Sequence, residues 1–157
     1  LALKSTETPS AIVLSRQKLP YINPTSTKEN KCETGAYVVN AISSNNMITL
    51  IASGSEVELA LNAQKQLQEI NITSKVVSMP CQELFDKQSE AYKNEIININ
   101  TPKITIEASS INSWEKYAKN NVGINTFGES APYKEVYSHF KITSDSIVKL
   151  AKKIIKT

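Results

Sequence analysis

The stretch MITLIASGSEVELALNAQKQLQEINITSKVVS, residues 47–78, decides the fold. It opens on a nearly continuous apolar run, residues 47–52, of the kind that lies buried on both faces of a sheet. Ser55 follows as a good helix N-cap with Glu58 three residues on, the spacing of a capping box. Ala60, Ala63, Leu67 and Ile70 then recur at helical spacing and give one apolar face. A second strand, residues 74–78, comes straight after. A strand, a helix and a strand in immediate succession favour parallel pairing through a right-handed crossover.

The alternation continues outward. Residues 37–39, β-branched and aromatic, read as a short strand before the opening run. After it, Pro80 opens a short helical turn where its missing donor is harmless, and residues 90–97 continue as helix. Residues 103–107 and 122–126 read as strands. Between them Asn112 and Glu115 repeat the capping-box spacing ahead of an aromatic segment, residues 114–117. Pro132 starts a helix over 133–140. A last helix, 145–156, places Ile147, Val148, Ala151, Ile154 and Ile155 on one face and Lys149, Lys152 and Lys153 on the other. The pattern predicts an α/β chain, a three-layer αβα sandwich around a mostly parallel sheet.

With 157 residues there is room for one domain with its own core. The formal charge of +3 comes from lysines scattered along the chain, so no clustered basic footprint for nucleic acid is expected. No apolar run approaches the length of a membrane span, which predicts no membrane partner. Cys32 and Cys81 lack the spacing and the accompanying histidines of a zinc site. They read as reduced thiols of a cytoplasmic protein. Ala11, Ile12, Val13 and Leu14 read as a strand that belongs to a preceding sheet, so the chain reads as a fragment. Pro20, Pro24 and the polar residues up to Cys32 read as a linker.

Several blocks carry a resemblance: SRQKLP (15–20), GAYVV (35–39), ASGSEVELA (52–60), VVSMPCQELFDKQSEAYKNEII (76–97), TIEAS (105–109), WEKY (114–117) and TFGESAP (126–132). In that order, over nearly the whole chain, they resemble the C-terminal region of transketolases. The resemblance implies residues 1–20 as the tail of the central pyrimidine-binding domain, 21–34 as an interdomain linker and 35–157 as the C-terminal domain with a five-stranded mixed sheet. It implies that the full-length enzyme transfers a two-carbon ketol unit between sugar phosphates in the non-oxidative pentose phosphate pathway. That enzyme would be a homodimer using thiamine diphosphate and a divalent metal, magnesium or calcium. The residues that hold that cofactor and metal have no counterpart in these 157 residues, so the fragment alone is expected to be inactive, with no catalytic, cofactor or metal residue. A second reading is of another class. It makes the chain a non-catalytic docking or regulatory module, or the C-terminal domain of another thiamine diphosphate enzyme.

Arg16 read alone is surface charge, since strand ends commonly reach solvent. The resemblance instead implies that the arginine of the SRQ motif binds the substrate phosphate, a role suited to a planar guanidinium fork. Ser15 and Gln17 are expected to support that loop. Ser53, Gly54 and Ser55, between strand and helix, stand where open α/β sheets often bind anions, but the capping role of Ser55 is the stronger account. His139, the single histidine, has no partner nearby in sequence and reads as solvated. Glu107, Asp86 and Glu129 offer no reason to be paired as catalytic carboxylates. Trp114 and Tyr117 read as packing aromatics. Ser109 and Ser113 stand where many transketolases have glycine, residues 118–121 look a few positions short, and Lys141 replaces the usual glycine that closes a helix.

Overall fold

The computed structural model describes residues 1–22 and 30–155. Five strands, β1 (Tyr37–Ala41), β2 (Ile48–Ala52), β3 (Ser74–Ser78), β4 (Lys103–Ser110) and β5 (Asn120–Ile124), form one sheet in the order β1-β3-β2-β4-β5. All neighbours pair in parallel except β1, which runs antiparallel to β3 with an irregularity between Val38 and Asn40. The helices are α1 (Glu56–Glu69), α2 (Gln82–Asp86), α3 (Glu90–Ile97), α4 (Tyr133–His139) and α5 (Ser144–Ile155). The expected α/β sandwich with a mostly parallel, five-stranded mixed sheet is the architecture observed.

Strand periodicity divides the core. Ile48, Leu50, Ala52, Val76, Ile104 and Ile106 turn to one face, where Val57, Ala60, Ala63 and Leu67 of α1 and Ile147, Val148 and Ala151 of α5 cover them. Ile51 and Val77 turn to the other face and meet Met79, Phe85, Ile96, Trp114 and Tyr117. Each fully buried Ile or Leu contributes about 1.5–3 kcal/mol through loss of apolar surface from water. Gln64 is buried without loss of hydrogen bonds: its amide donates to the Ser74 carbonyl at 2.8 Å and its oxygen accepts from Asn40 at 2.9 Å.

Two helix ends close in the left-handed region without glycine. After α4, the Ile142 amide donates to the Tyr137 carbonyl at 2.8 Å and the Lys141 amide to that of Ser138 at 3.1 Å, with Lys141 at φ 58°. This is the closing motif in which glycine is favoured, and burial of Ile142 holds it in place. Asn71, at φ 59°, closes α1 in the same way. Gly35, at φ 81°, has no substitute: a Cβ there would stand 2.2 Å from the Phe85 amide nitrogen.

Several local expectations are corrected. Residues 11–14 are not a strand; they carry no ladder and their side chains are exposed. Ser55 does not cap α1, because its backbone is already helical and its hydroxyl donates to Glu56 instead. Ser110, not Asn112, caps the 3-10 turn Ile111–Ser113, accepting from the Asn112 amide. Pro80 does not open α2, which starts at Gln82 with Cys81 in the cap position. Strand β5 begins and ends two residues earlier than expected, and β4 runs on to Ser110. Within the segment read as linker, residues 23–29 lie outside the described residues, and Lys31–Thr34 form a 3-10 turn capped by Asn30. Lys156, the expected end of the last helix, also lies outside them.

Candidate functional site

The register of β2 with β4 fixes the site. Ala52 lies opposite Ile106, so the next residues, Ser53 and Glu107, stand side by side, and the Ser53 hydroxyl donates to the Glu107 carboxyl at 2.8 Å. Here the connection from β2 leads to β3 and that from β4 leads the other way to β5. Such a parting opens a crevice at the carboxyl ends of the strands. The crevice has a volume of about 610 Å³ and is lined by Ser53, Glu56, Glu107, Trp114 and Tyr137, with Val13 and Leu14 of the N-terminal segment also at its wall.

Gly54 at φ 49° turns the chain from β2 into α1 and brings Glu56, only 3% exposed, to the first turn of the helix. A carboxylate is favoured at that end of the helix dipole. Glu56 accepts from the Ser55 hydroxyl at 2.7 Å and from the Tyr137 hydroxyl of α4. Gln17, next to Arg16, lines the same crevice. Burial raises the Tyr137 hydroxyl to about 12, and its hydrogen bond to Glu56 works in the same direction. Burial pushes the Glu107 carboxyl up to about 7; the Ser53 hydrogen bond opposes this, while the charge of Glu56 and a hydrogen bond with it reinforce the rise.

The Ser53-Gly54-Ser55 turn therefore does not face open space suited to an anion, because the chain's own two carboxyls stand there. Arg16 is exposed and makes no ion pair among the described residues. Its neighbour Gln17 is half-buried at the crevice wall. Glu129 is exposed in the loop before α4. His139 is exposed with its ring 4.8 Å from that of Phe140. Asp86 lies apart from the crevice, bound by Lys116 at 2.6 Å and by the Tyr117 hydroxyl at 2.7 Å. Burial acts to raise its carboxyl, but the bonds from Lys116 and Tyr117 and the charges of Lys116 and Lys93 outweigh it and lower it. Trp114 and Tyr117 pack edge to face in the second core at 6.1 Å, the role expected of them. The pairing of Glu56 with Glu107 was missed, because Glu58 carried the capping-box reading. The β2–β4 register, with an offset of 54, places Ser53 beside Glu107, and the one-turn step from Ser53 into α1 then brings Glu56 to the same crevice.

Residues 35–143 match the family described as transketolase-like TK C-terminal domain. The chain belongs to this family. Transketolase of Sinorhizobium medicae is 41% identical over 160 residues, covering 99% of this chain and 23% of that protein. The solved transketolase of Campylobacter jejuni is 37% identical and superposes with a TM-score of 0.87 over 98% of this chain and 23% of that one. The Pichia stipitis transketolase solved in complex with sedoheptulose 7-phosphate is 35% identical, with a TM-score of 0.81 over 90% of this chain and 20% of that one. The chain thus spans about a quarter of the length of the transketolases it matches. Thiamine diphosphate, implied by the transketolase resemblance, does not fit the residues of this crevice: Glu56 and Glu107 would meet its pyrophosphate with like charge. No group of three or more His, Cys, Asp or Glu side chains able to hold a metal occurs among the described residues. No helix among them is long and apolar enough to cross a membrane.

Proposed function

We propose that the chain is the C-terminal portion of a transketolase, with residues 1–20 closing the central pyrimidine-binding domain, 21–34 linking and 35–157 forming the third domain. The whole enzyme would be a cytoplasmic homodimer that transfers two-carbon ketol units between sugar phosphates in the non-oxidative pentose phosphate pathway. Its thiamine diphosphate and divalent metal would be held outside this chain, which alone would be inactive. One observation supports the reading most: the family profile begins at residue 35, yet the likeness to transketolases covers 98–99% of the chain and so takes in the Arg16 segment. Cytoplasmic placement rests on the two free thiols, Cys32 and Cys81.

Arg16 is proposed to bind the substrate phosphate in that enzyme. Its exposed guanidinium stands at the rim of the domain, free of an internal ion pair among the described residues. Arg16→Ala in the whole enzyme is expected to lower kcat/KM for phosphorylated sugars about ten- to a hundredfold, as loss of a charge-assisted contact of roughly 1.5–3 kcal/mol requires. Nonphosphorylated donors should lose little. Equal losses for both classes would return Arg16 to a structural role. A docking or regulatory module remains the second reading, favoured by the exposed apolar side chains of Leu3, Ile12, Val13 and Leu14. A parent protein that shows no ketol transfer would favour it.

A further inference from the structure

We propose that Asp86, which stands outside the crevice, positions its wall: by accepting from the Tyr117 hydroxyl, its carboxylate holds the 114–117 turn against α2 and so seats Trp114 where it limits the access of water to Glu107. This role does not depend on what Arg16 or the crevice binds.

The wall has little local structure of its own. Beyond the 3-10 turn Ile111–Ser113, the Trp114 amide donates to the Ile111 carbonyl at 2.8 Å and the Tyr117 amide to that of Trp114 at 3.0 Å. These backbone bonds stay within the segment and do not fix its place on the body. Both side-chain hydrogen bonds that residues 114–117 make among the described residues end on one carboxylate. The Tyr117 hydroxyl donates to Asp86 Oδ1 at 2.7 Å and Lys116 Nζ to Oδ2 at 2.6 Å.

Asp86 is well placed to act through them. It ends α2 beside Phe85, which is fully buried and meets the Tyr117 ring edge-on at 6.0 Å. Glu83 and Trp114 line the crevice, and Asp86 and Tyr117 each follow three residues later, one turn behind its surface. The Tyr117 ring stands 6.1 Å from the indole, edge to face, so the bond that orients the tyrosine also buttresses the tryptophan.

The two bonds differ in weight. The side chains of Lys116 and Asp86 are each about half exposed, a setting in which an ion pair contributes little. Tyr117 is only 8% exposed, so without Asp86 its hydroxyl becomes a largely buried donor with no acceptor. The charges of Lys116 and Lys93 favour the ionised carboxylate, while those of Glu83 and Cys81 add to Asp86 in keeping the tyrosine protonated.

The test uses the 157-residue chain, in which Trp114 is the single tryptophan. Its emission and its quenching by acrylamide are read together with the titration of Glu107 by carboxyl-carbon NMR. Asp86→Ala and Tyr117→Phe should each move the emission to longer wavelength and raise quenching several-fold. Each should also lower the Glu107 midpoint from about 7 toward that of an ordinary glutamate, since burial is the first cause of its rise. Asp86→Asn, which still accepts from the tyrosine, should keep the wild-type readings, and so should Lys116→Met. Tyr117→Phe removes a single oxygen and keeps the ring, so the test stands even where Asp86→Ala does not fold. Wild-type emission and quenching in Tyr117→Phe would overturn the proposal. A Glu107 midpoint that stays in place while the tryptophan moves would overturn it too, because Asp86 would then hold the aromatic core and not the crevice.

Discussion

Residues 11–14 (AIVL) and β2 (ITLIA) are nearly interchangeable as strings of apolar, β-branched residues, yet they have opposite fates. Every residue of β2 is buried, with β3 on one side and β4 on the other. Ile12, Val13 and Leu14 are 72%, 92% and 81% exposed and belong to no ladder. An apolar run becomes a strand only where neighbours complete its hydrogen bonds and cover its side chains. Strand propensity is thus a statement about surroundings. The N-terminal segment has the composition of a strand without the partners.

The contrast is most severely tested by truncating one side chain in each region. Leu50→Ala opens a cavity at the centre of the sheet and should cost about 2–5 kcal/mol in chemical denaturation. Val13→Ala should change stability by no more than about 0.5 kcal/mol. Comparable losses would mean that the segment is packed in solution.

A smaller effect probes the crevice at the end of the buried region. The Glu107 carboxyl titrates near 7 in the folded chain against 4.5 for an ordinary glutamate, so the folded state holds a proton that the unfolded state has released. Its contribution is therefore fully present below about pH 4.5 and is lost as pH rises through about 7. The melting temperature should fall by several degrees from pH 5 to 8, and Glu107→Gln should flatten that slope. A melting temperature that rises across this window would reverse the sign and discredit the buried pair. A modest gain lies wholly within the body: Lys141→Gly relieves a left-handed residue and should raise stability by about 1 kcal/mol, readable as a higher denaturation midpoint.

Elements whose signals are local were legible in the sequence. The apolar run of β2, the spacing of Ala60, Ala63 and Leu67 and the stripe of Ile147, Val148 and Ala151 each report burial within one element, and all are buried in the expected layers. The left-handed position of Lys141 was legible through the resemblance, in which a glycine usually closes this helix. What failed depends on contacts distant in sequence. Ser55 and Glu58 have capping-box spacing, but the buried carboxylate next door, Glu56, takes the Ser55 hydroxyl, held there by Tyr137 from 81 residues away. The Ser53–Glu107 contact exists only because β2 and β4 are neighbours in one register, which neither segment specifies alone. The same holds for residues 11–14, whose composition says nothing of whether a neighbouring strand is present.

The reversed direction of β1 also sets where the incoming chain arrives. Tyr37, its first residue, pairs with Ser78, the last residue of β3, so the chain enters the sheet at the carboxyl end of the parallel strands. A parallel β1 of the same five residues would move that entry point by roughly 17 Å to the opposite rim. Strand polarity thus acts as a tether. It confines the N-terminal segment to the neighbourhood of the crevice, so that contacts too weak to form between separate molecules can be made within one chain.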